Sequence, residues 1–166
     1  MRINARLVRD DAGTAAAEMA LVIPLLVALM FGCTELGRYF WSQHVLVKAV
    51  RDGSVYAARQ RIDNFDCTNS TVAAPVVTQT QTLVRTGRLS GGTALLPNWG
   101  SGTTVFAIDL ACVTSANGTT LGGIYSANSG QVPVITVRAS LPFTSMFGLR
   151  SGLTLNAREQ AAVFGA

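Results

Sequence analysis

Residues with the chemistry to catalyse are sparse in this chain of 166. His44 is its single histidine, and no cluster of further ligands stands near it to build a metal site or a catalytic triad. Asp109 lies in an alternating, strand-like run without a partner carboxylate, the pattern of a solvent-facing or edge residue. Gly91, Gly92, Gly100 and Gly102 lack the GK[ST] or strand-to-helix context of a phosphate cradle. These patterns point away from an enzyme and supply no cofactor, metal or small-molecule substrate. The net charge of +4 is too diffuse for a nucleic-acid partner. One ionisable group, however, is placed where it costs energy. Glu18 opens the uncharged run Met19 to Thr34, which closes at Glu35. A carboxylate at the start of a lipid-embedded segment costs several kcal/mol unless a partner or the interface relieves it, so Glu18 is a functional candidate by default.

The element that positions Glu18 is the apolar stretch itself. With Thr14 to Ala17 it reaches about 20 residues, the length a helix needs to cross a bilayer core. A plain signal-anchor is the simplest reading. A cleaved secretory signal fits less well, because Glu18 and the pair Asp10, Asp11 intrude and no small-x-small cleavage site follows. A lipoprotein signal ending at Cys33 has the small Gly32 before the cysteine, but Met30 and Phe31 suit it poorly. Arg2, Arg6 and Arg9 precede the span and Arg38 and Lys48 follow it closely, so the basic residues favour a cytoplasmic N-terminus and an extracytoplasmic body.

A further pattern accounts for more residues. A short basic leader, Met1 to Gly13, ends in glycine before the apolar run, and Glu18 is fifth when Thr14 is counted first. This resembles the prepilin-peptidase site of type IV pilins. Together with Leu21 to Leu26, the element Glu35-Leu36-Gly37-Arg38, Ala49 to Gly53 and Tyr56 to Ala58, it resembles the TadE family of pseudopilins from tight-adherence (Flp, type IVb) pilus systems. The resemblance covers the first 60 residues or so firmly and the C-terminal 35 loosely. It implies cleavage between Gly13 and Thr14 by prepilin peptidase, an inner-membrane location, and other pilin or pseudopilin subunits as partners. It implies that Glu18 guides assembly, by meeting the new N-terminal ammonium of an axially shifted neighbour. Three segments follow: a leader at 1–13, a transmembrane anchor at 14–35 and an extracytoplasmic head with its spine helix at 36–166. The alternatives are an unprocessed single-pass envelope protein with a binding head, and a lipoprotein matured at Cys33.

Beyond the anchor, Leu36, Phe40, Val47, Val50 and Ala57 recur at helical spacing, and no proline stands between Pro24 and Pro75. One helix over about 14–59 is therefore expected, with Pro24 as a kink and Gly37 and Gly53 as soft points. Ala16 and Ala20 form a small-xxx-small pair that admits a close helix neighbour. Cys33 reads as buried packing. Tyr39, Phe40 and Trp41 read as an interfacial aromatic belt or a first layer of head packing. Residues 64–75 are turn-rich, 76–89 suggest a short helix weakened by β-branched threonines, and 103–114, 131–143 and 152–164 alternate as strands. In the first strand Val105, Ala107, Asp109, Ala111 and Val113 share one side. Residues 115–130 form a loop, and 144–151 connect a hairpin with Met146 and Phe147 packing at its tip. The fold class is α+β and pilin-like: a long N-terminal helix, a short second helix and a small antiparallel sheet of about three strands. Cys67 and Cys112 fall in the head, where an oxidising compartment lets them pair, the alternative being two separate buried thiols. Asn69 and Asn117 head glycosylation-like triplets that a bacterial source would leave silent.

Overall fold

The computed structural model describes residues 11–100, 104–114, 121–148 and 152–165. The arginines at 2, 6 and 9, the first position of the strand expected from 103, the loop residues 115–120 and the connector residues 149–151 lie outside the described residues. The architecture is α+β. Helix α1 (Asp11–Ala58) is followed by a 3-10 turn (Ile62–Asn64), strands β1 (Phe65–Asp66) and β2 (Thr71–Val72), and helix α2 (Ala74–Thr86). Strand β3 (Val105–Val113), a 3-10 segment (Gly123–Asn128), β4 (Val132–Pro142) and β5 (Thr154–Ala162) complete it. The chain divides into two compact units between Arg38 and Tyr39.

The first unit is the opening part of α1. Its alanine-rich start favours helix, and Pro24 lies inside the helix without ending it. The proline removes one backbone donor there, a loss that membrane helices tolerate when neighbouring groups compensate.

In the second unit β3, β4 and β5 form an antiparallel sheet in that order, with Asp109 opposite Thr136 and Thr136 opposite Gln160. The alternation expected for 103–114 holds: Val105, Asp109, Ala111 and Val113 are exposed, while Leu110 is buried. Two apolar clusters make the core. One joins Leu46, Ala49 and Val50 of α1 to Val84, Trp99, Val137 and Leu141 among others. The other joins Ala57 and Ala58 to Phe65, Val76, Leu110, Ile135 and Val163. The face that α1 buries differs from the expected one. Val50 and Ala57 are buried, but Leu36, Phe40 and Val47 are about half exposed. The buried stripe instead runs Leu46, Val50, Ser54 and Ala57, with Ala49 and Gly53 beside it, because small residues let α2 approach closely. Gly53 is thus a packing point rather than a soft one: a β-carbon there would overlap the Val84 Cγ2 methyl and lie 3.4 Å from Thr80 Cγ2.

The second helix starts two residues before the expected position because Pro75 is favourable in a first turn, and it stops earlier because Gly87, at φ 71°, takes the left-handed cap. The Gly87 N–H donates to Leu83 O at 2.7 Å. The hydroxyls of Thr78, Thr82 and Thr86 each donate to the carbonyl four residues back, at 2.9, 2.9 and 2.8 Å. This spacing lets the threonines sit on one side of a helix that their β-branching would otherwise weaken.

The turn-rich passage holds a two-stranded hairpin that its sequence did not announce, Phe65 pairing with Val72 and Asp66 with Thr71. The Asp66 carboxylate accepts from Thr68 N at 2.8 Å and from Asn69 Nδ2 at 2.6 Å. These bonds hold its pKa below the usual carboxylate value of 3.8, the Asn69 side chain contributing most and the Thr68 N–H next. Between the two strands Cys67 forms a disulfide with Cys112 on β3, Cα atoms 5.6 Å apart. The C-terminus closes against the end of α1: Phe164 N donates to Ala58 O at 3.0 Å and Ile62 N to Gly165 O at 3.2 Å. Gly165 is required by crowding, since a β-carbon there would overlap Gln60 O and lie 2.5 Å from Arg59 O.

Candidate functional site: the apolar half of the long helix

Every residue from Gly13 to Thr34 is exposed. Leu21 is 80% exposed, Leu25 61% and Met30 57%, which leaves apolar side chains uncovered all round the helix. A helix apolar on all sides belongs in a membrane or inside a helix bundle, and this is the one described helix long and apolar enough to cross a bilayer. At 1.5 Å per residue Glu18 and Glu35 stand about 26 Å apart along the axis, close to the roughly 30 Å of a hydrocarbon core.

Glu18 is exposed, one helical turn beyond Thr14, so both lie on one side of the helix. Gly13 is already helical and nothing lies within 4 Å of the space a side chain would take there. The four residues at the far end point to different surroundings. Glu35 is buried at 9% exposure, Leu36 is half exposed, Gly37 faces open space and Arg38 is half-buried. Cys33, expected as buried packing, carries an exposed thiol, because it lies in the stretch Gly13 to Thr34 in which every residue is exposed. Tyr39 packs against the first core cluster and meets Phe143 edge-on at 5.3 Å, whereas Phe40 and Trp41 are over half exposed. The aromatic run thus divides between head packing and a belt-like pair. Met146 and Phe147 are 64% and 42% exposed, so the expected packed hairpin tip is largely open.

The helix also brings Ala28 and Gly32 into line with the small-xxx-small pair Ala16, Ala20. Ala16, Ala20, Pro24, Ala28 and Gly32 follow one another at four-residue spacing, a continuous ridge of small side chains. Reading the Ala16, Ala20 interval onward through the proline is the signal that finds them.

Residues 13–54 match the family model described as TadE-like protein. No curated protein and no solved structure matches the chain. The match begins at Gly13, ends at Ser54 and lies wholly within α1. The match and the apolar helix fit a membrane-anchored, single-pass protein associated with Tad pili, a setting that implies contact with other pilus components.

The remaining candidates are kept apart. His44 is exposed on α1, and Asp109 pairs with Arg138 at 2.5 Å on the solvent side of the sheet. Among the described residues no three His, Cys, Asp or Glu side chains stand close enough to hold a metal ion.

Proposed function

We propose that the protein is a minor pilin or pseudopilin of a tight-adherence (Flp-type) pilus. It enters the inner membrane with its N-terminus cytoplasmic. Prepilin peptidase cuts it between Gly13 and Thr14, and residues 14–35 then pack against the corresponding helices of other subunits. The observation that carries this reading is the coincidence of the TadE-like match with a helix half that is exposed, apolar and interrupted by one carboxylate. Cleavage leaves an ammonium at Thr14. A neighbouring helix shifted axially by four residues, about 6 Å, brings its own terminus level with Glu18. Charges about 4 Å apart attract by up to about 4 kcal/mol at an effective dielectric of 20, enough to select that register among several. The ridge from Ala16 to Gly32 lets backbones approach closely without depending on burial of apolar area, which has little driving force among lipid tails.

The test is incorporation. In cells carrying the complete pilus machinery, Glu18→Ala and Glu18→Gln chains should still be cut, but the cut chain should co-purify with its partner subunits at least tenfold less than wild type. Glu18→Asp should keep part of the yield. Wild-type incorporation of Glu18→Ala would remove the role given to this carboxylate.

A further inference from the structure

The solvent face of the three-stranded sheet carries an arrangement that the helix does not explain. Arg138 on β4 and Arg158 on β5 are direct cross-strand partners. Phe143 N donates to Leu153 O and Val163 N to Pro133 O, so the odd-numbered residues of β4 make the hydrogen-bonded pairs with β5. The pair of arginines is therefore of the closer, non-hydrogen-bonded kind, with Cα atoms about 4.5 Å apart. Like charges directly opposite one another disfavour the sheet. Asp109, diagonal to Arg138, answers one guanidinium at 2.5 Å. Among the described residues no carboxylate lies within ion-pair distance of Arg158. A shallow concavity of about 450 Å³ on this face is lined by both arginines, by Ser140 and Asn156, and by Val105 and Ala107 of β3 on the far side of Arg138.

We propose that this concavity binds a carboxylate side chain of an acidic partner polypeptide. Two guanidiniums and one carboxylate leave a local surplus of one positive charge, which one carboxylate neutralises. The planar fork of Arg158 suits two carboxylate oxygens, and the apolar side chains of Val105 and Ala107 in the same concavity offer a surface for the methylenes of a glutamate. Two features disfavour other anionic surfaces. β3, β4 and β5 place no aromatic side chain on this face to stack on a sugar ring. An anionic membrane is held by clusters of about 4 to 8 basic residues, whereas here Asp109 stands beside two.

The full chain, labelled with nitrogen-15 in uncharged detergent micelles, is titrated with an acetylated tetraglutamate peptide while the arginine side-chain resonances are followed. The Arg158 and Arg138 signals should shift together. Arg158→Ala should weaken binding about tenfold and Arg158→Lys less. Arg88→Ala, at an exposed residue outside β3, β4 and β5 and not lining the concavity, should leave binding unchanged. Asp109→Asn, which frees Arg138, should tighten it severalfold. An unmoved Arg158 resonance at saturating peptide overturns the proposal, as does equal loss in Arg88→Ala. Stronger binding of an oligoglucuronate or of anionic vesicles than of the peptide overturns the assignment to a polypeptide.

Discussion

Replacing Gly53 by alanine should destabilise the head although alanine is the better helix former. The exchange gains about 1 kcal/mol of helix propensity. The new methyl, however, meets Val84 Cγ2 on a side chain that is fully buried and stiff at its first torsion. Overpacking of this kind costs about 1 to 3 kcal/mol, so Gly53→Ala should lose up to about 2 kcal/mol net. Val84→Ala alone removes two carbons from a closed core at about 0.8 kcal/mol each and leaves a small cavity, about 2 kcal/mol together. In the double variant the methyl at 53 occupies the space vacated at 84, so the clash and most of the cavity disappear together. Its loss should be about 1 kcal/mol or less, a coupling of about 1 to 3 kcal/mol between the sites. Urea unfolding of the full chain in micelles measures this, with the buried Trp99 of the same cluster as fluorescent reporter. Additivity within about 0.5 kcal/mol, or a stabilising Gly53→Ala, would refute the account of how α1 meets α2.

Gly165→Ala should cost about 2 to 3 kcal/mol, because the obstacles are the backbone oxygens of Gln60 and Arg59 rather than a side chain that can turn; thermal unfolding reads it. Reducing Cys67–Cys112, which closes a loop of 45 residues, should lower stability by about 4 kcal/mol on the chain-entropy account. Double Cys67→Ser, Cys112→Ser chains should match the reduced protein in denaturant midpoint. Asp66 has a folded pKa below its unfolded one, so its contribution is present above the unfolded value of 3.8 and is lost as pH falls through the lower folded value. The stability gap between wild type and Asp66→Ala should therefore be constant from neutral pH to about 5 and narrow below about 4.

Those elements whose period is long enough to be read were legible in the sequence. The long helix, the second helix and the three strands of the sheet follow from apolar spacing, and their ends moved by only a few residues where Pro75 and Gly87 act as caps. The β1–β2 hairpin was not legible, since strands of two residues carry no period and are held by the Asp66 carboxylate and by tertiary contacts. Helical spacing through the large apolar residues does not tell which face of α1 is buried: Leu36, Phe40 and Val47 share that spacing and are about half exposed. The helix instead buries Ala49, Gly53, Ser54 and Ala57 where α2 crosses close by. Glu18 and the apolar run stand out from the charge pattern and Gly13 only through the resemblance to a prepilin-peptidase site, whereas the facing of Arg138 and Arg158 depends on strand register, which neither local pattern announces. The disulfide was open for the same reason: whether two distant cysteines meet depends on how the hairpin and β3 are brought together.

The most direct test of the pilin reading is the N-terminus of the mature chain. The protein, expressed with its own prepilin peptidase and extracted from membranes, is examined by intact mass and N-terminal sequencing. The account predicts a chain beginning at Thr14, and an uncut chain when Gly13 is replaced by valine. A wild-type chain still beginning at Met1, or a lipidated one beginning at Cys33, would contradict it.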